Sequence, residues 1–310
     1  MKLTAQRTRR LCILGLLQVV WFACGAVAVA QSDILARYTA RYPEGVARID
    51  GTYWFAEMAA NQISTLRDGV RQSFAMPFGC GPTAVEEYGH YRLVLCHLNH
   101  RILLVSLDGT VVHSQGRSNA GAALYHPNDA VRDDRGGVYF SSSGDFADEA
   151  IATGRVFYLF ATGAVEEVAR GIHYANGVEF DVSQQRLLVS SHLGRKILAY
   201  AVLAQGRLGP ATTLHDLGSL VQREADWRIG PDGLHLDADG TLRVALYGGS
   251  SVVVYGNASV RQIALPMQYP TTVHNDPRDG LFVGGVFDLT DRRLTGEVIM
   301  LRPGPAVMGR

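Results

Sequence analysis

Six short turns carry the side chains best suited to chemistry. They place Glu44, Thr83, Asn128, Asn176, Asp232 and Thr271 at equivalent positions, each just ahead of a β-rich run, at intervals of 39, 45, 48, 56 and 39 residues. Converging on one axis, one Glu, one Asp and two Asn would offer hard oxygen donors and two negative charges. That donor set suits a divalent cation, Ca²⁺ first, with Zn²⁺, Mg²⁺ or Mn²⁺ as alternatives. Asn and Asp are common in turns for local reasons. Glu44 is not a turn former and needs another explanation.

The elements that must position these residues repeat with them. After each turn comes a strand such as Tyr53-Trp54-Phe55-Ala56, Val138-Tyr139-Phe140-Ser141 or Leu187-Leu188-Val189-Ser190. A third strand follows, as at Ile102-Leu103-Leu104-Val105 and Val252-Val253-Val254-Tyr255, and then a weaker fourth. Turns such as Asp134-Arg135-Gly136-Gly137 and Asp237-Ala238-Asp239-Gly240 join them as hairpins. Six such units of about 45 residues, without a long helix, predict an all-β, six-bladed β-propeller rather than a two-sheet sandwich. The stretch from Ile34 to Tyr42 is expected to supply the missing outer strand of the last blade. In a propeller the first strand of each blade lines the central channel, so the six turns meet at one mouth. The second strand ends there too, which brings His97, His192 and Tyr247 near, together with His126 and Tyr174 from the turns.

The chain has 310 residues, 47% hydrophobic and 19% charged, with 29 basic and 29 acidic side chains. Such a balance excludes disorder and gives no support for nucleic-acid binding. Residues 1–30 hold Lys2, Arg7, Arg9 and Arg10 and no acid. With an apolar run from Leu11 to about Ala23 and Ala28-Val29-Ala30 ahead of Gln31, they read as a secretory signal peptide. The expected domains are therefore a signal at 1–30 and a single catalytic propeller at 31–310, secreted or periplasmic, monomeric and free of the membrane once cleaved.

Cys12 and Cys24 leave with the signal; Cys80 and Cys96 remain. An oxidising compartment permits a disulfide. The coarse strand register does not set the two opposite each other, so two separate buried thiols are expected, with the disulfide as the alternative. Other motifs fall away. Gly79-Cys80-Gly81-Pro82-Thr83-Ala84 imitates a dinucleotide fingerprint but has Pro82 inside it and no helix after it. There is no Gly-x-Ser-x-Gly elbow, no His-Glu-x-x-His and no Cys-x-x-Cys.

Glu44-Gly45, Pro127-Asn128-Asp129, Asn176-Gly177-Val178 and Pro231-Asp232-Gly233-Leu234, followed by Leu242 to Gly249, resemble the gluconolactonase / regucalcin (senescence marker protein) / luciferin-regenerating-enzyme-like family in order along the whole mature chain. The resemblance implies one catalytic divalent cation in the channel of a six-bladed propeller. It implies Glu44, Asn176 and Asp232 as ligands, Asn128 on or near the metal at the substrate side, and Asp232 as general base. The implied reaction is metal-dependent opening of a sugar lactone or related small lactone, with water activated at the channel mouth. Another ester or phosphotriester hydrolase, and a non-catalytic binding propeller, are the alternatives. Two departures bear on the substrate. His126 stands where many relatives have Arg, and Ser141-Ser142-Ser143-Gly144 stands where Thr-Asp-Pro is frequent. His126 and Tyr174 join Asn128 as candidate substrate contacts.

Overall fold

Short amphipathic strands rich in β-branched and aromatic residues cannot bury both faces as isolated hairpins. In the computed structural model, which describes residues 26–28, 33–221, 226–256 and 259–302, they assemble into six antiparallel sheets in a ring. The expected signal segment lies outside the described residues, apart from a short strand β1 (Ala26–Ala28). Strand β2 (Ile34–Arg41) follows. The first blade comprises β3 (Pro43–Ile49), β4 (Thr52–Glu57), β5 (Gln62–Arg67) and β6 (Val70–Ala75). The second comprises β7 (Pro82–Tyr88), β8 (Tyr91–Cys96), β9 (Arg101–Val105) and β10 (Val111–Gln115). The third comprises β11 (Pro127–Arg132), β12 (Val138–Ser142), β13 (Gly154–Leu159) and β14 (Val165–Ile172). The fourth comprises β15 (Ala175–Asp181), β16 (Arg186–Ser191), β17 (Lys196–Ala204) and β18 (Arg207–Asp216). The fifth comprises β19 (Gly230–Leu236), β20 (Leu242–Tyr247), β21 (Ser251–Tyr255) and β22 (Val260–Ala264), with β1 parallel to β22 at its edge. The sixth has only three strands of its own, β23 (Tyr269–Asp276), β24 (Gly280–Val286) and β25 (Thr295–Leu301).

The fourth strand of that last blade is β2, antiparallel to β25 from Ile34↔Leu301 to Arg41↔Thr295. The closure expected from the sequence is thus present, and it joins the two ends of the propeller through backbone hydrogen bonds. The first strand of every blade touches that of the next around the axis, β23 meeting β3 to complete the circle.

The core is distributed between blades. Leu93, Leu95 and Ile102 of the second blade pack on Phe140 and Phe157 of the third. Tyr53 and Phe55 of the first pack on Phe282 and Val298 of the sixth. Each blade buries both faces against its neighbours, so the middle of its second strand is apolar on both sides; β12 and β24 are buried at every residue.

The inner strands share one irregularity. Each carries one extra residue against its partner immediately after its start: Pro43 to Val46, Pro82 to Ala84, Pro127 to Ala130, Ala175 to Val178, Pro231 to Leu234 and Pro270 to Thr272. These are β-bulges, which interrupt the ladder and re-aim a side chain. The residue inside each bulge is one of the six mouth residues. Proline precedes five of them, since a residue with no N–H sits without loss where pairing is broken.

One sequence expectation is corrected. Cys80 and Cys96 form a disulfide, Cα–Cα 4.5 Å apart. Strand register alone misses the pair because Cys80 is not on a strand. Gly81, with φ +52°, bends the chain ahead of β7 and lays Cys80 over the end of β8, where the Leu98 N–H donates to the Cys80 carbonyl. The bridge closes a sequence separation of 16. A loop of that size is worth about 3 kcal/mol in the chain-entropy picture. The Cys80→Ala/Cys96→Ala variant is therefore expected to melt on the order of 5–10 °C below wild type by calorimetry; an unchanged melting temperature would show that the bridge adds no stability.

Candidate functional site

The bulges deliver their side chains to one cleft at the mouth of the channel. Glu44, Thr83, Asn128, Asn176 and Asp232 all line it, and all five are buried. Thr271, the sixth mouth residue, does not. Its hydroxyl donates to the Pro43 carbonyl at 2.5 Å and ties the sixth blade to the first.

Close backbone approach brings these residues together. A Cβ on Gly177 would stand 2.2 Å from the Asp232 carbonyl, and one on Gly233 would stand 2.8 Å from the Thr271 carbonyl. Only glycine after Asn176 and Asp232 lets neighbouring inner strands meet at the axis. In the third blade Asp129 occupies the same place and acts as a fastener: its carboxylate accepts the Val178 N–H of the next blade at 2.9 Å and the Ala130 N–H at 2.9 Å.

The electrostatics are one-sided. Burial, reinforced by the charge of Asp232, pushes the Glu44 carboxyl well above the usual range. Burial and the charge of Asp129 do the same to Asp232, opposed by hydrogen bonds from the Asn176 amide and the Gly233 N–H. Further down the channel, burial raises Asp129 to about 6, Glu86 to about 7 and Glu179 to about 8. Neither arginine nor lysine lines the cleft. Two buried carboxylates without a counter-charge are costly unless a cation joins them. Asn176 donates its amide N–H to Asp232, and its own Oδ1 is buried without a hydrogen-bond partner. An orphaned oxygen beside two uncompensated carboxylates fits a hard divalent cation. Among the described residues no three His, Cys, Asp or Glu side chains gather in that way; the donor set here mixes two carboxylates with carboxamides.

An aromatic collar stands around these acids. Tyr42, His97, Phe146, Tyr174, His192 and Tyr247 line the cleft with Met58. The Tyr42 and Tyr247 hydroxyls are 3.2 Å apart. Tyr42 and Tyr174 hold left-handed backbone, φ +52° and +55°. Such conformations are strained for aromatic residues and persist where neighbours enforce them; here they turn the rings over the mouth. His192 is buried, which pushes its pKa down to about 4, and its Nε2 lies 2.8 Å from the Arg228 carbonyl. The imidazole is therefore neutral.

Of the residues the sequence singled out for substrate, Asn128 and Tyr174 line the cleft and His126 does not. His126 stands behind His97, their rings parallel at 4.6 Å, with its Nδ1 3.0 Å from the Gly144 carbonyl. Tyr42, Met58 and Phe146 were missed. Tyr42 was within reach, since it stands two residues before Glu44 as Tyr174 stands two before Asn176. Phe146 lies in a loop with no counterpart in the other blades and had no signal.

Comparison with known proteins places this geometry. The family model described as SMP-30/Gluconolactonase/LRE-like region matches residues 42–283. A lactonase drp35 from Staphylococcus saprophyticus is 25% identical over 193 residues, covering 60% of this chain and 57% of that protein. The chain thus spans less than two thirds of the length of the curated relatives it matches. Among solved structures, a calcium-binding protein, regucalcin, from Agrobacterium tumefaciens superposes with a TM-score of 0.67 at 17% identity, over 88% of this chain and 97% of that one. A gluconolactonase from Xanthomonas campestris gives 0.66 at 21% identity, over 84% and 86%. At such identities the structural likeness establishes the fold.

The uncompensated pair makes a prediction about stability. A carboxyl with a raised pKa keeps its proton in the fold and has released it in the unfolded chain, so stability falls as pH climbs above the ordinary carboxylate range. In cation-free buffer at pH 8, Glu44→Gln is expected to melt above wild type, the gap closing toward pH 5. A variant less stable than wild type at pH 8 would mean that the ionised carboxylate is already satisfied.

Proposed function

The chain belongs to the SMP-30/gluconolactonase/LRE-like family, and on that premise we propose that it is a metal-dependent hydrolase that opens the ring of a sugar lactone or related small lactone. The observation that carries the reading is the orphaned Asn176 Oδ1 beside Glu44 and Asp232, all three buried at one cleft with no basic side chain to offset them.

Glu44, Asn176 and Asp232 would hold the cation, with Asn128 beside it on the substrate side. When bound, a divalent cation, Ca²⁺ before Zn²⁺, Mg²⁺ or Mn²⁺, would polarise the lactone carbonyl and offset the two carboxylates. Asp232 is held in orientation by the Asn176 amide and the Gly233 N–H, and it accepts a proton from the attacking water. The hydroxide oxygen bonds to the carbonyl carbon and the ring C–O bond breaks. The proton on Asp232 then passes to the departing alkoxide, leaving a hydroxy acid. Burial and the nearby acids keep Tyr174 and Tyr247 neutral, so their hydroxyls serve as donors to substrate oxygens.

The same reading includes export. The basic, apolar and Ala-x-Ala sequence of residues 1–30 supports it, and so does a disulfide between the two mature cysteines, which belongs in an oxidising compartment.

The test is lactone hydrolysis by the purified protein, followed with a pH indicator, after chelation and with each of the four cations restored. A panel of aldonolactones and aliphatic lactones is run with Asp232→Ala alongside. Chelation should abolish turnover and lower the melting temperature by mass action. Asp232→Ala should keep its fold and lose roughly 10²- to 10⁴-fold in kcat. Turnover at the wild-type rate by that variant would overturn the role of Asp232. Silence across the panel with a cation bound would overturn the lactonase reading.

A further inference from the structure

One loop faces two spaces. Between β12 and β13 the chain runs from Ser143 to Thr153. Phe146 on this loop lines the catalytic cleft and packs on Tyr174 at 4.8 Å, His192 at 5.6 Å and Trp227 at 5.1 Å. The residues that follow, Ala147 to Ile151, form one wall of a cavity of about 460 Å³ whose other wall is His173, Leu193 and Trp227. A second cavity of about 450 Å³ shares His173 and Leu193 and continues outward to Lys196 and Leu198. Phe146, which lines the cleft, thus packs directly on Trp227, which lines the first cavity, and their contact stands between the two spaces.

The volumes divide the work. The catalytic cleft offers only about 70 Å³, well below the few hundred that ordinary ligand sites provide. That is space on the scale of a small ring. Each groove cavity falls inside the ordinary range. The groove is also chemically distinct. Ala147, Ile151, Leu193 and Trp227 give its inner part apolar walls beside His173; Ser191, Arg195 and Lys196 line its outer part, and Ile151 is 76% exposed, an unusual degree for a large apolar side chain. Asp148 and Glu149 on its edge disfavour an anionic occupant near that contact. The short, hydroxylated side chain of a sugar lactone would gain nothing from apolar walls.

We propose that the groove is a distal subsite for a neutral apolar arm, alkyl or acyl, carried by the lactone ring. The proposal rests on the lactonase reading of the cleft and specifies its substrate class: a small lactone with an extended apolar substituent. The ring sits over Asp232 and Asn128, and the arm passes the Phe146–Trp227 contact and lies along Leu193 and Ile151. Binding energy from the remote arm would raise kcat/KM in proportion to the methylenes buried.

The experiment compares γ-lactones of one ring size with arms from methyl to decyl. Each methylene that enters the groove is expected to raise kcat/KM about two- to fourfold, up to a plateau where the groove is full. In Ile151→Glu, an exposed site that tolerates change, the ratio of octyl- to methyl-lactone kcat/KM should fall at least tenfold. A flat series, or an unchanged ratio in the variant, overturns the subsite and leaves the lactonase reading standing. Binding is read separately with alkyl tetrahydrofurans, which keep the ring and arm and have no carbonyl to hydrolyse. They should change the intrinsic fluorescence of the protein with affinity rising by chain length, weaken in Ile151→Glu, and give no signal in Trp227→Phe. That result upholds the groove even where no lactone is turned over, an outcome that removes the lactonase reading instead. No binding by wild type at any arm length overturns the groove.

Discussion

Six inner strands approach one another backbone to backbone around a single axis, and this crowding governs the molecule. Regular strands would direct alternate side chains into the channel along its whole length and leave no mouth distinct from the rest. The bulge at the start of each strand breaks that alternation once, at the same height in every blade. Proline tolerates the broken ladder, and glycine after Asn176 and Asp232 leaves the room that a Cβ, 2.2 and 2.8 Å from carbonyls of the next blade, would take. The residue trapped between them has one direction left, toward the axis. Glu44, Asn176 and Asp232 are therefore held by the backbone that surrounds them more than by their own hydrogen bonds.

The same crowding sets the electrostatics. A channel narrow enough for strands to touch is too narrow for much water, so acids within it are desolvated and repel one another. Asp129 shows the limit of what the fold satisfies unaided. Two backbone N–H groups hold it, one from the neighbouring blade, and its pKa still rises to about 6. Burial likewise pushes Glu44 and Asp232 well above the usual range, Asp232 in spite of the Asn176 amide and the Gly233 N–H. The fold buries these carboxyls at the mouth, where ionising them without a counter-charge is unfavourable, and supports them with the six apolar layers between blades.

Repeats made the scaffold legible. A turn, a buried strand and two more strands recur six times because every blade solves the same packing problem. The leftover stretch at Ile34–Arg41 could be assigned because the last blade lacked a strand. The mouth residues were legible for the same reason, being one position read six times. Whatever departs from the repeat was hidden. Cys80 pairs with Cys96 through a glycine bend that strand register does not record. Phe146 and Trp227 lie in segments without equivalents in other blades. His126 occupies a repeated position yet turns to stack on His97, because its backbone and the Gly144 carbonyl fix its ring there. Position in a repeat gives the Cα, and side-chain direction depends on local neighbours.

This division between repeated and unrepeated parts also separates reaction from selection. The acids and carboxamides sit inside bulges, where a change of residue disturbs two blades at once. The loop between Ser143 and Thr153 is anchored at its base, where the Asp145 N–H donates to the Thr153 hydroxyl, and is otherwise free of strand pairing. Its residues can vary without moving Asp232. A propeller of this kind can keep one hydrolytic centre and change what reaches it by altering a single connection. Phe146 and the apolar side chains beyond it lie on that variable side, while the other collar rings come from the repeated turns and strand ends. On the proposed reading, that connection is where a preference for one lactone over another would be set.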